Sequence, residues 1–368
     1  MFNSIYKNKK VLVTGHTGFK GSWLTTWLLK LEANVIGISK DIPTQPSMFE
    51  ELLLEKKIKH YQEDIRNLLK VSEIILDEKP DFLFHLAAQP LVSVSYKNPI
   101  ETISSNLMGT TNILESLRIS NHKCTSIIIT SDKAYENVEQ VWGYKEDDKM
   151  GGKDIYSGSK GATELIIKSY YHSFFKNKES NIKLAIGRAG NVIGGGDWAK
   201  DRIVVDCMKS WSSNKIVEIR SPKATRPWQH VLEPLSGYLN LGQLLHDDRS
   251  LHGECFNFGP RTEQNQNVKQ LVEDLSYYWH FKNADDAFSV TDNIPFHEAG
   301  LLKLNCDKAM LYFKWQASMD YKDTIKMTSE WYYNFYNKEK NIFDKTLQQI
   351  SEYENIAKQK GLMWMEQY

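Results

Sequence analysis

A short glycine-rich turn between a strand-like run and a helix-like run limits the possible fold more than any other feature of this chain. The apolar run Val11–Val13 precedes Gly15, Gly18 and Gly21, which are spaced three residues apart. This spacing lets the backbone approach a pyrophosphate, which rests on the positively polarised N-terminus of the following helix. Glycines also form tight turns without any ligand, but this turn has the strand and the amphipathic helix that the motif requires. The turn therefore predicts a dinucleotide-binding fold.

Strand-like and helix-like segments alternate through the first half of the chain. Buried strands are predicted at Val11–Val13, Val35–Ile38, Phe82–Leu86, Ser126–Thr130 and Leu184–Gly187, and helices at Gly21–Leu31, Leu68–Asp77, Ile100–Ile119 and Gly158–Phe175. This alternation is typical of a doubly wound parallel sheet. After about residue 188 the pattern loosens, and short strands and helices mix with prolines.

The predicted fold class is α/β, a Rossmann-type doubly wound parallel sheet with a smaller α+β substrate-binding lobe. Residues 1–188 form the dinucleotide-binding domain in this prediction, with later returns at roughly 229–253, and residues 189–337 form the substrate lobe. Residues 338–368 are expected to be a helical C-terminal tail that docks either on the body or on a partner subunit.

Composition excludes several classes of protein. Lys+Arg and Asp+Glu both total 46, so no net charge attracts nucleic acid or an anionic membrane. No apolar run approaches the ~20 residues that cross a bilayer, and the first strand follows the N-terminus too closely for a signal peptide. We therefore expect a soluble, cytoplasmic protein. Disulfides and a metal site are not expected, because no two of the cysteines are spaced as C-x-x-C: Cys124, Cys207, Cys255 and Cys306.

Two polar groups of residues indicate acid–base chemistry. Ser131, Asp132 and Lys133 end a predicted buried strand, where open α/β sheets place catalysis. Tyr156 and Lys160 would share one face of a helix, so the ammonium is predicted to lower the phenol pKa and make the phenolate a usable base. Ser131 would then hold the substrate hydroxyl that Tyr156 deprotonates. An exposed ion pair or surface charge is the alternative for the same residue types.

Asp132 and Lys133 supply a second acid/base pair, which a simple alcohol oxidation does not need. This surplus suggests an oxidoreductase that also removes a group from its substrate.

The positions after each strand predict the cofactor-binding residues. Asp41 would bind the ribose of NAD, although its neighbour Lys40 leaves room for the 2′-phosphate of NADP. Asp64 could instead cap a helix, and for Asn106 a satisfied structural amide is the stronger interpretation. The full predicted set is Gly15, Thr17, Gly18, Phe19, Lys20, Gly21, Asp41, Asp64, Ile65, Leu86, Ala87, Ala88, Gln89, Asn106, Tyr156 and Lys160.

Longer strings resemble the extended short-chain dehydrogenase/reductase family, within it the sugar-nucleotide 4,6-dehydratases, and most closely the branch that acts on CDP-glucose. The strings are Gly15–Leu24, Ala87–Leu91, Thr130–Asn137, Arg188–Trp198 and Arg226–Val231. Most dehydratases of this group carry Asp-Glu after the hydroxyl residue. This chain has Asp132-Lys133, which resembles the CDP-glucose branch. The resemblance spans residues 10 to 260 and extends weakly to about residue 335.

The resemblance implies a lyase that uses bound NAD to convert CDP-D-glucose to CDP-4-dehydro-6-deoxy-D-glucose and water. It implies that Asp132 is the acid and that Lys133 takes the position of the base. The catalytic residues would be Ser131, Asp132, Lys133, Tyr156 and Lys160, and the substrate-binding residues Gln89, Ser131, Asn191, Arg202 and Arg226. It further implies a homodimer or a dimer of dimers, and a product used for the deoxysugar of a surface polysaccharide such as an O-antigen.

Three alternatives stay open at this point. One is another nucleotide-hexose 4,6-dehydratase, since the base preference rests on resemblance alone. A second is a nucleotide-sugar 4-epimerase, which shares the glycine turn, Tyr156 and Lys160 but usually lacks the second acid/base pair. The third is a non-catalytic NAD(P)-binding scaffold, which has no reason to keep all five catalytic residue types in register.

Overall fold

A parallel sheet with helices on both faces forms the centre of the computed structural model, which describes residues 1–261, 264–291, 301–339 and 341–365. The strands of the described residues are β1 (Lys10–Thr14), β2 (Asn34–Ser39), β3 (Lys59–Gln62), β4 (Phe82–His85), β5 (Cys124–Ile129), β6 (Ile182–Ala189), β7 (Val192–Ile193), β8 (Val217–Ile219), β9 (Thr225–Arg226), β10 (Gln229–His230), β11 (Cys255–Phe258), β12 (Gln266–Asn267) and β13 (Phe288–Val290). Seven of them form the central sheet in the order β11-β6-β5-β4-β1-β2-β3. This order confirms the predicted doubly wound sheet.

The helices follow the strands in the expected alternation. They are α1 (Phe19–Lys30), α2 (Met48–Glu51), α3 (Leu68–Glu78), α4 (Val92–Lys97), α5 (Pro99–Ile103), α6 (Gly109–Ser120), α7 (Ile155–Tyr170), α8 (Ile203–Ser212), α9 (Leu232–Asp247), α10 (Val268–Tyr278), α11 (Asp307–Phe313), α12 (Tyr321–Asn337) and α13 (Ile342–Gln359). The helix predicted over Ile100–Ile119 is divided into α5 and α6 by a π-helical segment at Ser104–Met108. Helix α7 begins three residues before its predicted start, because the Asp154 carboxylate accepts a 2.9 Å hydrogen bond from the Ser157 amide.

Two apolar layers cover the faces of the sheet. In β1, Val11 and Val13 belong to the layer under α1 and α9, whereas Leu12 belongs to the layer under α3, α6 and α7. In β4, Phe84 and Leu83 divide in the same way. Successive side chains of a strand point to opposite faces, so an uninterrupted apolar run is what a strand buried on both sides requires.

The chain after β6 leaves the central sheet and later returns to it. Three small strand pairs, β7 with β10, β8 with β13 and β9 with β12, lie outside the central sheet. Helix α9 packs on β5 and β6, and β11 then pairs parallel with β6, with Cys255 opposite Ile186. The return therefore includes β11, just beyond the predicted 229–253.

The C-terminal tail docks on the body of the same chain. The Trp27 indole on α1 donates a 2.9 Å hydrogen bond to Glu354 on α13, and the Lys30 ammonium pairs with the same carboxylate. The Trp364 ring stacks on Phe2 with centroids 5.0 Å apart. Of the two docking modes predicted for residues 338–368, the structure has the intramolecular one. Residues 340 and 366–368 of this segment lie outside the described residues.

No helix in the described part of the chain combines the length and the apolar character that crossing a membrane requires.

Candidate functional site

The glycine turn between β1 and α1 has the backbone geometry that a pyrophosphate site needs. Gly15 adopts φ +75°, and a Cβ there would lie 2.8 Å from the Cα of Ala87. A Cβ on Gly21 would lie 2.2 Å from the Gly15 carbonyl oxygen. Helix α1 starts after Gly18 without a side-chain cap, so its first amide groups point at the turn. This cradle, which side chains would fill, fits the pyrophosphate of NAD.

The ends of β2 and β3 lie beside this turn. The Thr17 hydroxyl donates a 2.7 Å hydrogen bond to the Asp41 carbonyl, and the Thr17 amide donates one of 3.3 Å to Ser39. The turn therefore holds the segment that carries Asp41, whose side chain is exposed.

Asp64 is engaged with a cation rather than with a helix. Both of its oxygens accept hydrogen bonds from the Arg66 guanidinium, and these contacts lower the pKa of Asp64 although burial raises it. Asn67, not Asp64, caps α3. Ile65 is buried, and a Cβ on Gly109 would lie 2.4 Å from its Cδ1, so this side chain fills the space between β3 and α6.

After β4, some of the predicted cofactor residues lie beside the glycine turn, whereas Gln89 and Asn106 are hydrogen-bonded to each other. Leu86 and Ala87 continue from the strand end beside the glycine turn, and the Ala87 amide donates a 3.2 Å hydrogen bond to Thr14, while Ala88 follows them. Asn106 is a satisfied structural amide: it donates to Ser159 at 2.9 Å and accepts from the Gln89 amide at 2.8 Å.

The Gln89 side chain is also engaged within the protein. Its amide group donates to Thr102 at 2.8 Å, and its carbonyl oxygen accepts from Leu91 at 2.6 Å. Its predicted contacts with cofactor and substrate stay predictions, and they would require these bonds to be exchanged.

The residues predicted to be catalytic come together at the end of β5. Ser131 begins a 3-10 turn, donates a 2.8 Å hydrogen bond to Asp132 and lies close enough to the Tyr156 phenol to lower its pKa. Tyr156 and Lys160 lie on the buried face of α7, and the Lys160 ammonium is 5.9 Å from the centre of the Tyr156 ring. Register along one helix and one strand therefore brings four of the predicted residues into one site.

The predicted lowering of the Tyr156 pKa is wrong for the site as described. Burial raises the pKa of Tyr156 to about 12, and the Asp132 charge adds to this, while the Ser131 hydrogen bond and Arg202 oppose it. Burial also lowers the pKa of Lys160 to about 8, against the opposing charge of Glu164. Phenolate formation near neutral pH therefore needs further positive charge beside Tyr156.

Asp132 and Lys133 lie in different environments. Asp132 is buried, and burial raises its pKa in spite of the Lys133 charge and the Ser131 hydrogen bond, as suits a proton donor. Lys133 is half-buried, and its ammonium has no hydrogen bond or ion pair within the described ranges. The two side chains are thus not locked together, and Lys133 is free to face a substrate.

A buried ion pair sets the register between Ser131 and Tyr156. Arg188 on β6 and Glu164 on α7 are both fully buried, and their side chains meet at 2.7 Å and 2.5 Å. Glu164 also accepts a 2.6 Å hydrogen bond from Thr130, the residue before Ser131. The pair therefore holds the end of β5 against α7. Arg188 lies one residue beyond the predicted strand Leu184–Gly187, so its burial inside β6 was not predicted from the sequence.

Gln229 is a site residue that the sequence analysis missed. It lines a cavity together with Asp132, Gly190 and Leu304, among others. Its amide group donates to the Phe258 carbonyl at 3.2 Å, whereas its buried carbonyl oxygen has no partner in the part of the chain that the structure describes. An unpaired buried acceptor is costly, so this oxygen suits a substrate hydroxyl.

Lys20 reaches from the glycine turn into the same region. Its ammonium lies 5.9 Å from the centre of the Tyr238 ring. Burial and then the Arg202 charge lower its pKa to about 8, and Asp132 and Lys160 also act on it. Lys20 was predicted as a cofactor residue only, yet its side chain faces the catalytic groups.

The remaining predicted substrate residues follow β6 in the chain and lie outside the central sheet. Arg202 pairs with Asp197 at 2.5 Å and acts electrostatically on Tyr156. Asn191 is exposed in the two-residue link between β6 and β7, and Arg226 ends β9 and donates to the Thr225 carbonyl at 2.8 Å. Their roles stay predictions. Within the described residues, no group of His, Cys, Asp and Glu side chains is arranged to hold a metal ion.

The sheet order, the glycine turn and the grouping of Ser131, Tyr156 and Lys160 define the class: a Rossmann-type protein of the extended short-chain dehydrogenase/reductase kind. A family model described as GDP-mannose 4,6 dehydratase matches residues 12–328. The chain belongs to this family, and the resemblance to sugar-nucleotide dehydratases is confirmed.

Individual proteins show the same relationship. A CDP-glucose 4,6-dehydratase of Salmonella typhimurium is 45% identical over 334 residues, covering 89% of this chain and 92% of that protein. A UDP-glucose 4-epimerase of Thermotoga maritima with UDP-glucose has a TM-score of 0.75 at 21% identity and covers 90% of this chain and 100% of that one. A dTDP-glucose 4,6-dehydratase of Bacillus anthracis in complex with NAD has a TM-score of 0.72 at 17% identity, covering 90% and 98%. The two structures share the fold.

Proposed function

We propose that this protein is an NAD-dependent CDP-glucose 4,6-dehydratase, which forms CDP-4-dehydro-6-deoxy-D-glucose and water. The observation that carries the proposal is the buried Asp132 beside Ser131 and Tyr156, in a chain 45% identical to a protein of that activity. A second acid beside an alcohol-oxidising group is what a dehydration requires in addition to an oxidation.

The first task of the site is to remove the proton of the sugar 4-hydroxyl. Ser131 would hold this hydroxyl, and Tyr156 would take its proton as a phenolate. The buried phenol reaches that form only with positive charge beside it, which Lys160 on the same helix face and the nicotinamide ring of NAD would supply. NAD, which the glycine turn and the segment carrying Asp41 would hold, would supply a hydride acceptor for C4 and a hydride donor for C6, so the reaction would have no net redox change. Burial of Tyr156 and Lys160 keeps water away from this exchange.

The second task is elimination across C5 and C6. A 4-keto group acidifies the C5 proton, which a base must remove while an acid protonates the departing C6 hydroxyl. Asp132 has the raised pKa of an acid, and the unpaired Lys133, which must be uncharged in order to accept a proton, takes the base position. Gln229 offers its free carbonyl oxygen to a sugar hydroxyl. These roles of Asp132 and Lys133 are part of the proposal, and the burial of Asp132 supports the first of them.

Incubation with CDP-, dTDP-, UDP- and GDP-hexoses tests the proposal, with products read by mass spectrometry. The expected result is loss of one water from CDP-glucose and none, or slower loss, from the others. A product of unchanged mass that is a 4-epimer by NMR would contradict it and leave Asp132 unexplained. NAD binding with no turnover of any hexose would instead favour the scaffold alternative.

Assembly, organisation and location form a second part of the proposal. We propose a homodimer, or a dimer of dimers, through α6 and α7 and their flanking segments. Ile100, Leu165 and Phe174 support it, with exposures of 76%, 57% and 47%, whereas Phe175 is buried against the sheet. We also propose that residues 1–188 with the return strand bind the cofactor, that 189–337 bind the sugar nucleotide, and that the protein acts in the cytoplasm on a deoxysugar for a surface polysaccharide.

A further inference from the structure

The ion pairs at the ends of β2 and β3 suggest how this chain distinguishes NAD from NADP. The inference rests on the proposed use of a nicotinamide cofactor and goes beyond it. In this class of fold, the adenosine ribose lies at the end of β2. An acidic side chain there meets a 2′-hydroxyl, whereas a nearby cation accommodates a 2′-phosphate.

Two cations lie at that place. Lys40 directly follows β2, and Arg66 follows β3, its parallel neighbour in the sheet. These residue types alone would favour a phosphorylated ribose, because lysine and arginine are the usual phosphate ligands. In the structure, however, both cations are paired with carboxylates, which removes this preference.

Glu101 on α5 contacts both cations. One of its oxygens lies 3.1 Å from the Lys40 ammonium, and the other lies 3.4 Å from the Arg66 guanidinium. Arg66 is also held at 2.6 Å by Asp64. Hydrogen bonding with Lys40 lowers the pKa of Glu101, so the carboxylate is charged at neutral pH.

Both positive charges of this group are already paired with carboxylates and are not available to a phosphate. Lys40 and Arg66 are balanced by Asp64 and Glu101, and the exposed Asp41 adds one negative charge nearby. A phosphate monoester carries about −1.5 to −2 charges at neutral pH, so it would meet a negative surface. The 2′-hydroxyl of NAD carries no such penalty.

We propose that Glu101 is a specificity-determining residue: by holding Lys40 and Arg66, it denies a 2′-phosphate both cations and makes the chain select NAD. Glu101 does this from α5, a helix outside the glycine turn and the strand ends that carry the usual cofactor signals.

Nucleotide binding without turnover tests this inference. Wild type and Glu101→Gln are titrated with NAD and with NADP by calorimetry, at low and at high ionic strength. Wild type should prefer NAD. Glu101→Gln should gain about tenfold in NADP affinity, with NAD affinity within about twofold, and the gain should shrink in salt. The double variant Glu101→Gln, Lys40→Met should lose much of this gain in NADP affinity.

The matched control is Glu115→Gln, which breaks a 2.6 Å pair with Arg118 on α6 and should change neither affinity. Both pairs are partly exposed, so neither substitution should unfold the protein. An unchanged NADP-to-NAD ratio in Glu101→Gln, or equal affinities in wild type, would overturn the role of Glu101 and leave the proposed function standing. A wild-type chain that binds neither nucleotide would overturn both.

Discussion

At the residue scale, the site depends on how burial changes ordinary side chains. Tyr156, Lys160 and Asp132 all have pKa values shifted by burial toward their uncharged forms. The neutral form suits Asp132 as a proton donor, whereas Tyr156 must become a phenolate before it can accept a proton. The same burial leaves Gln229 with an acceptor that nothing in the described chain satisfies.

The first prediction separates the two halves of the reaction at Asp132. Asp132→Asn keeps the shape of the side chain but removes its acidic proton, so turnover should fall about 10²- to 10⁴-fold. Oxidation at C4 does not need that proton. In a single turnover with CDP-glucose, the absorbance of reduced nicotinamide should therefore appear and persist. Tyr156→Phe is the control and should show no such absorbance. Equal, undetectable absorbance in both variants would argue against Asp132 as the acid.

The second prediction concerns the unpaired oxygen of Gln229. Gln229→Leu removes a hydrogen bond to substrate worth about 0.5–1.5 kcal/mol, so KM should rise about 2- to 12-fold. It also removes the buried hydrogen bond to the Phe258 carbonyl, so the free energy of unfolding in urea should fall by about 1 kcal/mol, partly offset by the loss of an unsatisfied acceptor. An unchanged KM would mean that Gln229 does not contact the sugar.

At the element scale, β5, β6 and α7 form one unit that holds the catalytic residues. The Arg188–Glu164 pair joins β6 to α7, and Thr130 ties the end of β5 to the same carboxylate. Arg188 also donates a 2.6 Å hydrogen bond to the Tyr135 hydroxyl. A strand end and a helix that are far apart in sequence therefore keep a common register.

The third prediction tests this register. Arg188→Met leaves the Glu164 charge buried without its partner, which should destabilise the protein by about 3–5 kcal/mol in urea unfolding. Adding Glu164→Met removes that charge, so the double variant should recover much of the loss. Its kcat should nevertheless stay below wild type, because Thr130 loses its acceptor. Additive losses in the two single variants would contradict a coupled pair.

At the scale of the whole molecule, buried neutral histidines connect stability with pH. Burial lowers the pKa values of His16, His85 and His230 to about 3. The His85 ring lies between Thr14 at 2.7 Å and Thr110 at 2.9 Å, and so joins β1, β4 and α6. These rings fold in the neutral form, whereas an unfolded chain protonates them near pH 6.5.

The fourth prediction follows from the sign of these shifts. A depressed folded pKa gives stability that is present above pH 6.5 and is lost as pH falls from 6.5 toward 3. The free energy of unfolding should therefore decrease by up to about 1.4 kcal/mol per pH unit for each such histidine. His85→Gln should show a shallower pH dependence between pH 6 and 4. Equal slopes for both proteins would mean that His85 is protonated in the folded state.

The parts of this protein that could be read from the sequence are those that depend on near neighbours in the chain. Glycine spacing, strand–helix alternation and the four-residue step from Tyr156 to Lys160 are local patterns, and the sheet, the turn and the shared helix face follow from them. Local spacing also placed Asn106 as a structural amide, which its contacts with Ser159 bear out.

Tertiary structure decided what depends on burial and on distant partners. The pKa of Tyr156 rises because surrounding elements remove it from water, which the spacing to Lys160 does not encode. Glu101 neutralises Lys40, and Arg188 pairs with Glu164, across 61 and 24 positions of the chain respectively. The tail packs on the body of the same chain through Trp27 and Phe2, which are more than 300 positions away in the sequence. Local sequence thus determined the architecture, and long-range contacts determined the charge state of the site, because electrostatic energies depend on distance and burial in space rather than along the chain.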